Sequence, residues 1–107
     1  MVILAVKEEI ILSALLILDG TSHGASLRNK VVELSKKEIV YGTLYNLLEV
    51  LIRKGFVTSY KCDPKPIRGG RSKTVYQITR KGKAALDETI RMHEHIRNSL
   101  PVCEYGK

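Results

Sequence analysis

Apolar positions recur at helical spacing in four stretches of the chain, and β-branched and aromatic residues dominate two shorter ones. The first stretch places Ile10, Ile11, Ala14, Leu15 and Leu18 behind the acidic pair Glu8 and Glu9. That suits a helix with negative charge at its N-terminus. Asp19-Gly20-Thr21-Ser22 stops it: Gly20 fits a C-terminal cap, and Thr21 or Ser22 can cap the next helix. The second helix runs through Leu27, Val31, Val32 and Leu34 and ends near Lys36-Lys37-Glu38. The third has the clearest pattern. Leu44, Leu47, Leu48, Leu51 and Ile52 form a complete apolar stripe, with Gly42, Asn46, Glu49 and Arg53 on the opposite face. Tyr41, Thr43 and Tyr45 flank its N-terminal end, and Gly55 ends it.

From Phe56 to Cys62 and from Ser72 to Thr79 the pattern changes to strand. Between them lies Asp63-Pro64-Lys65-Pro66-Ile67-Arg68-Gly69-Gly70-Arg71, a turn by its prolines and glycines. The two runs form a long-looped hairpin, which must pack on the helices because two strands alone are marginal in water. Thr79 can cap a last helix reaching about Ser99, where Pro101 stops it. Leu86, Ile90 and Leu100 recur along that helix, with Met92 and Ile96 on a neighbouring flank. Its stripe has no partner left within one chain.

The length of 107 residues corresponds to one domain with an appended helix. With 44% hydrophobic residues the chain is globular, and no run reaches the roughly 18 apolar residues a membrane span needs. Lys7, Glu8 and Glu9 interrupt the apolar start, so it makes a poor signal peptide and the cytoplasm is the expected compartment. There the two cysteines, Cys62 and Cys103, are expected to be free thiols.

The net charge of +7 is unevenly placed. Between Lys61 and Lys83 stand eight cations, Lys61, Lys65, Arg68, Arg71, Lys73, Arg80, Lys81 and Lys83, opposed only by Asp63. The remainder of the chain is neutral, so the excess lies in one segment suited to a polyanion.

Three helices followed by a two-stranded hairpin with a basic loop is the order of a winged helix-turn-helix, an α+β fold that is mostly α. Residues 1–79 would form this unit, 80–100 a C-terminal dimerisation helix, and 101–107 a flexible tail. Short polar side chains and a glycine at the start of the third helix allow close approach to base edges. Asn46 could pair bidentately with adenine, and Gly42 could permit the approach. Guanidinium groups on the hairpin loop can fork onto phosphates or enter a narrow minor groove. Tyr45 could either contact a phosphate or pack against the first helix, and Arg53 is a solvated or phosphate-facing charge.

The histidines do not form a metal site: His93 and His95, two apart on a helix, diverge by about 200°, and His23 lies in another segment. No phosphate loop, nucleophile elbow or clustered carboxylate pair is present, so neither a cofactor nor an enzyme activity is expected.

Ser22-His23-Gly24, Gly42-Thr43-Leu44-Tyr45-Asn46-Leu47-Leu48 and Leu51-Ile52-Arg53-Lys54-Gly55-Phe56-Val57 together resemble the PadR-family transcriptional regulators. So do Arg68-Gly69-Gly70-Arg71-Ser72-Lys73 and Tyr76-Gln77-Ile78-Thr79-Arg80-Lys81-Gly82, followed by Leu86. The resemblance spans roughly residues 8 to 98 and is to the compact branch with a short C-terminal helix. It implies that the third helix, with Tyr41, Gly42, Thr43, Tyr45 and Asn46, enters the major groove. The wing would carry Lys65, Arg68, Arg71, Ser72 and Lys73. The last helix, with the first, would form a homodimer through Ile11, Leu15, Leu86, Ile90, Met92, Ile96 and Leu100.

This chain has Ala25 where relatives often have an aromatic, and no Trp for stacking aromatic drugs. The expectation is a repressor that binds double-stranded DNA at an inverted repeat, with an unknown small-molecule effector as a further partner. The alternative is a winged helix serving as a protein-interaction module; clustered charge favours DNA over that reading. RNA is less suited, because no aromatic-rich sheet is evident.

Overall fold

A computed structural model describes residues 3–62 and 73–101. Four helices and three strands follow in the order α1 (Val6–Ile17), β1 (Thr21–His23), α2 (Gly24–Ser35), α3 (Tyr41–Arg53), β2 (Val57–Cys62), β3 (Lys73–Ile78) and α4 (Arg80–Ser99). The strands form one antiparallel sheet in the order β1-β3-β2. Thr58 pairs with Gln77 and Cys62 with Lys73 in the hairpin, while Thr21 also pairs with Gln77 from the other side.

The third strand was not expected from the sequence, which suggested a helix cap at Thr21 or Ser22. After α1, Asp19 and Gly20 both adopt positive φ (66° and 88°) and turn the chain back. The carbonyl of Gly20 then accepts from the Ile78 amide at 2.9 Å, laying β1 along β3. The N-cap of α2 is His23, whose side chain makes no capping hydrogen bond. The wing sheet is therefore tied to the helical body along β1 as well as through its own ends.

α1 is the centre of the core. Ile11, Leu12, Ala14 and Leu15 are buried against α2, α3, α4 and β3, joined by Leu27 and Val31 of α2 and Leu44, Leu48 and Leu51 of α3. Phe56, Val57, Tyr76 and Ile78 close it from the sheet side, and Ala85 and Leu86 from α4. α3 ends as the sequence indicates, in a Schellman motif: Gly55 has φ 83°, its amide reaches Ile52 O at 3.0 Å, and the Phe56 amide reaches Leu51 O at 3.0 Å.

Thr79 caps α4 by accepting from the Gly82 amide at 3.0 Å while its hydroxyl donates to Gly55 O at 2.7 Å. One side chain thus joins the end of α3 to the start of α4. At Gly82 a Cβ would lie 2.3 Å from the Phe56 carbonyl oxygen, so only glycine permits this approach of α4 to the chain entering β2. Further along α4, buried Thr89 accepts from the Leu4 amide at 3.0 Å and donates to Ala85 O at 2.8 Å. His93 meets Glu9 of α1 at 2.9 Å.

These contacts correct the expected dimer stripe. Ile11, Leu15 and Leu86 are 0–2% exposed within the chain's own core and offer no surface to a second copy. The reason is that α1 is apolar on more than one side, so the α1 and α4 stripes pack on each other inside one chain. What remains outside is the second half of α4: Ile90, Ile96 and Leu100 are exposed and Met92 half-exposed.

Candidate nucleic-acid interface

The stripe Leu44, Leu48 and Leu51 fixes the rotation of α3, and with it the residues that face outward. Tyr41, Gly42, Tyr45 and Asn46 are exposed on the first two turns; Thr43 is half-buried. A Cβ at Gly42 would meet nothing within 4 Å. Packing does not require glycine there, and its effect is to lower the profile of the helix toward whatever lies outside. The five expected reading residues thus share the N-terminal end of one helix.

Behind them stands a brace the sequence did not reveal. Arg28 of α2 donates from Nε to Ile39 O at 2.8 Å and from Nη2 to Glu38 at 3.3 Å, pinning the turn between α2 and α3. Its guanidinium carbon lies 5.0 Å from the centroid of the Tyr41 ring, a cation–π contact. The Tyr41 ring lies 5.8 Å from Tyr45, whose ring stacks on Tyr76 of β3 at 6.5 Å. Tyr45 thus bridges α3 to the sheet. Burial, then the neighbouring Tyr45 and Glu49, push the Tyr76 hydroxyl above its ordinary pKa, so it stays protonated at neutral pH.

Gly24, the first residue of α2, gives Tyr45 its place: a Cβ there would lie 2.9 Å from the Tyr45 hydroxyl. His23, Ser26, Tyr45, Thr74 and Tyr76 line a notch of about 550 Å³ at the N-terminus of α2. Serine, threonine and tyrosine side chains line it at a helix start whose N-cap makes no side-chain hydrogen bond, an arrangement that can accommodate an anionic oxygen. Gly24 belongs to a motif visible in the sequence, but its contact with Tyr45 depends on how α2 and α3 cross.

Among the described residues, the cations of the basic segment stand at two ends of β3. β3 runs from Lys73, at the loop end of the hairpin, to Ile78, a length of roughly 17–20 Å. Arg80, Lys81 and Lys83 begin α4 at the opposite end of that strand, where Lys81 Nζ lies 5.7 Å over the Phe56 ring. Lys61, one residue from the loop end of β2, is exposed. The expected wing residues Lys65, Arg68, Arg71 and Ser72 lie outside the described residues, as do Cys103 and residues 102–107. Lys73 opens β3, and Cys62 pairs with it at the end of β2.

Away from this face, Glu8 is buried and holds Lys54 at 2.6 Å and the Ala5 amide at 3.0 Å. Burial alone would raise its carboxyl pKa, but the ammonium and the amide outweigh it and the net shift is downward. No helix among the described residues is long and apolar enough to cross a membrane.

Comparison with known structures places the architecture. The chain is similar to a PadR family transcription regulator from Clostridium difficile (24% identity, TM-score 0.69, covering 88% of this chain and 93% of that one). It is also similar to a PadR-like transcription factor from Bacteroides fragilis (22% identity, TM-score 0.70, 86% and 84% covered). A winged-helix DNA-binding protein from STIV has the same fold (23% identity, TM-score 0.63, 88% and 90% covered). None of the curated proteins matches the sequence. The sequence profile of the Transcriptional regulator PadR-like family matches residues 11–88, most of the chain, from within α1 to within α4; the chain belongs to the PadR-like family of transcriptional regulators.

Proposed function

We propose that this regulator is a cytoplasmic repressor that binds double-stranded DNA, as a homodimer, at an inverted-repeat operator. The observation that carries the reading is the outward face of α3, where Tyr41, Tyr45 and Asn46 surround the open position at Gly42. A helix of that profile can enter the major groove, where Asn46 would pair with an adenine edge and Thr43 would meet an adjacent base or phosphate. Tyr45 and the notch at the start of α2 would hold a backbone phosphate. The wing residues Lys65, Arg68, Arg71, Ser72 and Lys73 would neutralise flanking phosphates, which fixes register without reading sequence.

Dimerisation would use Ile90, Met92, Ile96 and Leu100, apolar side chains that α4 leaves uncovered beyond the core. A self-complementary twofold contact is the common way to bury such a face. Two reading helices would then meet successive major grooves, with half-site centres about 10 bp apart or a multiple of it. Footprinting on the DNA upstream of the gene tests this. The expected result is two protected half-sites related by a dyad; protection of one asymmetric half-site would contradict it.

A further inference from the structure

The reading helix has a second neighbour besides the sheet. Between the start of α1 and the turn from α2 to α3 lies an open cleft of about 590 Å³, within the size range of small-ligand sites. Its walls are aliphatic: Val6 and Ile10 on one side, Ile39, Val40 and Leu47 on the other. Val6 and Val40 are 69% and 68% exposed, so among the described residues this apolar surface is left uncovered. No aromatic side chain lines the cleft among the described residues.

Its rim is charged, with Lys7, Lys37 and Arg28 against the single acid Glu38. Glu38 is shared with Arg28 through an exposed 3.3 Å contact, and Lys7 and Lys37 make no ion pair among the described residues. An aliphatic slot with a net positive rim complements one kind of molecule, a hydrocarbon chain ending in an anion.

We propose that this cleft binds a medium-chain aliphatic carboxylate and that its occupation lowers DNA affinity. This second half rests on the DNA-binding reading above. Arg28 provides the connection, because it lines the cleft and also stacks over Tyr41 on the reading face. A carboxylate at the rim competes with Glu38 for the guanidinium, which loosens the turn at Ile39 and the seat of Tyr41. Thr43 and Val40, both wall residues, belong to the first turn of α3 and its cap, so the ligand also presses directly on the reading helix.

Octanoate serves as the probe, with octanol and octylamine as its neutral and cationic counterparts. Binding to the full chain is followed without DNA by calorimetry and by NMR shifts of the Arg28 Nε and Tyr41 signals. The expected result is saturable binding of one octanoate per chain, with octanol weaker by about tenfold, the worth of one or two partly exposed charge pairs. Replacing Lys7→Gln and Lys37→Gln together, both exposed and outside the core, should reduce that preference, since Arg28 alone then remains as a cation at the rim. Val40→Gln should weaken octanoate and octanol alike. Equal binding of octanoate and octylamine, or an unchanged preference in the lysine double variant, overturns the site.

A separate arm measures duplex affinity with and without saturating octanoate. An unchanged affinity for a duplex the protein does bind overturns the coupling through Arg28. Octanoate binding by a protein that binds no duplex at all would instead sink the DNA reading and leave the cleft assignment standing.

Discussion

Gly82 has no room for a methyl group. The Phe56 carbonyl would stand 2.3 Å from a Cβ there, and a backbone oxygen cannot swing aside as a long side chain can. Gly82→Ala should therefore push α4 off the chain entering β2 and cost about 1–3 kcal/mol, the range for overpacking a well-packed site. A denaturant midpoint unchanged from the wild type would show that the contact yields freely. Glu8 makes a prediction with a sign. Its folded pKa lies below the ordinary carboxylate value, so its contribution is full above the unfolded pKa and is lost as pH falls through the folded one. Glu8→Gln should lower the melting temperature at neutral pH and flatten its decline in acid. Because Lys54 is about half exposed, the loss should be modest, on the order of 1 kcal/mol. Melting curves whose acid decline matched that of the wild type would count against this role.

At the scale of elements, periodic patterns carried most of the information. The stripe Leu44 to Ile52 located α3 and its outward face, and the Thr79 cap and Gly55 terminus stand where their residue types place them. β1 was not legible because three residues are too few to show a period, and its existence depends on the positive φ values at Asp19 and Gly20. The Arg28 brace was hidden for a related reason: its partners at 38, 39 and 41 are met only once the turn has formed. Charge counting along the chain joined cations that β3 holds apart, since sequence proximity across a strand and a helix start is not proximity in space. Arg28→Ala should thus weaken operator binding by roughly 1–2 kcal/mol through loss of a cation–π contact and a charged hydrogen bond, without Arg28 touching DNA. The check is to compare that loss on operator and random duplexes. A purely phosphate-contacting residue would weaken both equally, whereas loss of Tyr41 positioning should fall mainly on the operator.

For the whole molecule, the first half of α4 belongs to the core and the second half presents exposed apolar side chains. Dimerisation should accordingly depend on Ile90, Ile96 and Leu100, and not on Leu86, whose loss would damage the fold instead. Light scattering should give a dimer mass at micromolar concentration and a monomer for Ile90→Asp with Ile96→Asp. A wild-type mass near 12 kDa would refute the dimer.

The central claim is that α3 reads sequence while the wing holds phosphate, and one titration separates the two. Affinities for operator and scrambled duplexes are measured across a salt series for the wild type, for Asn46→Ala, and for Arg68→Ala with Arg71→Ala. The arginine pair should weaken binding to both duplexes alike and reduce the slope of log affinity against log salt by about 2, since each neutralised phosphate contributes about 0.9. Asn46→Ala should leave the slope nearly unchanged and narrow the gap between operator and scrambled DNA by about 1–3 kcal/mol. An unchanged slope for the arginine pair, together with an unchanged gap for Asn46→Ala, would contradict the account.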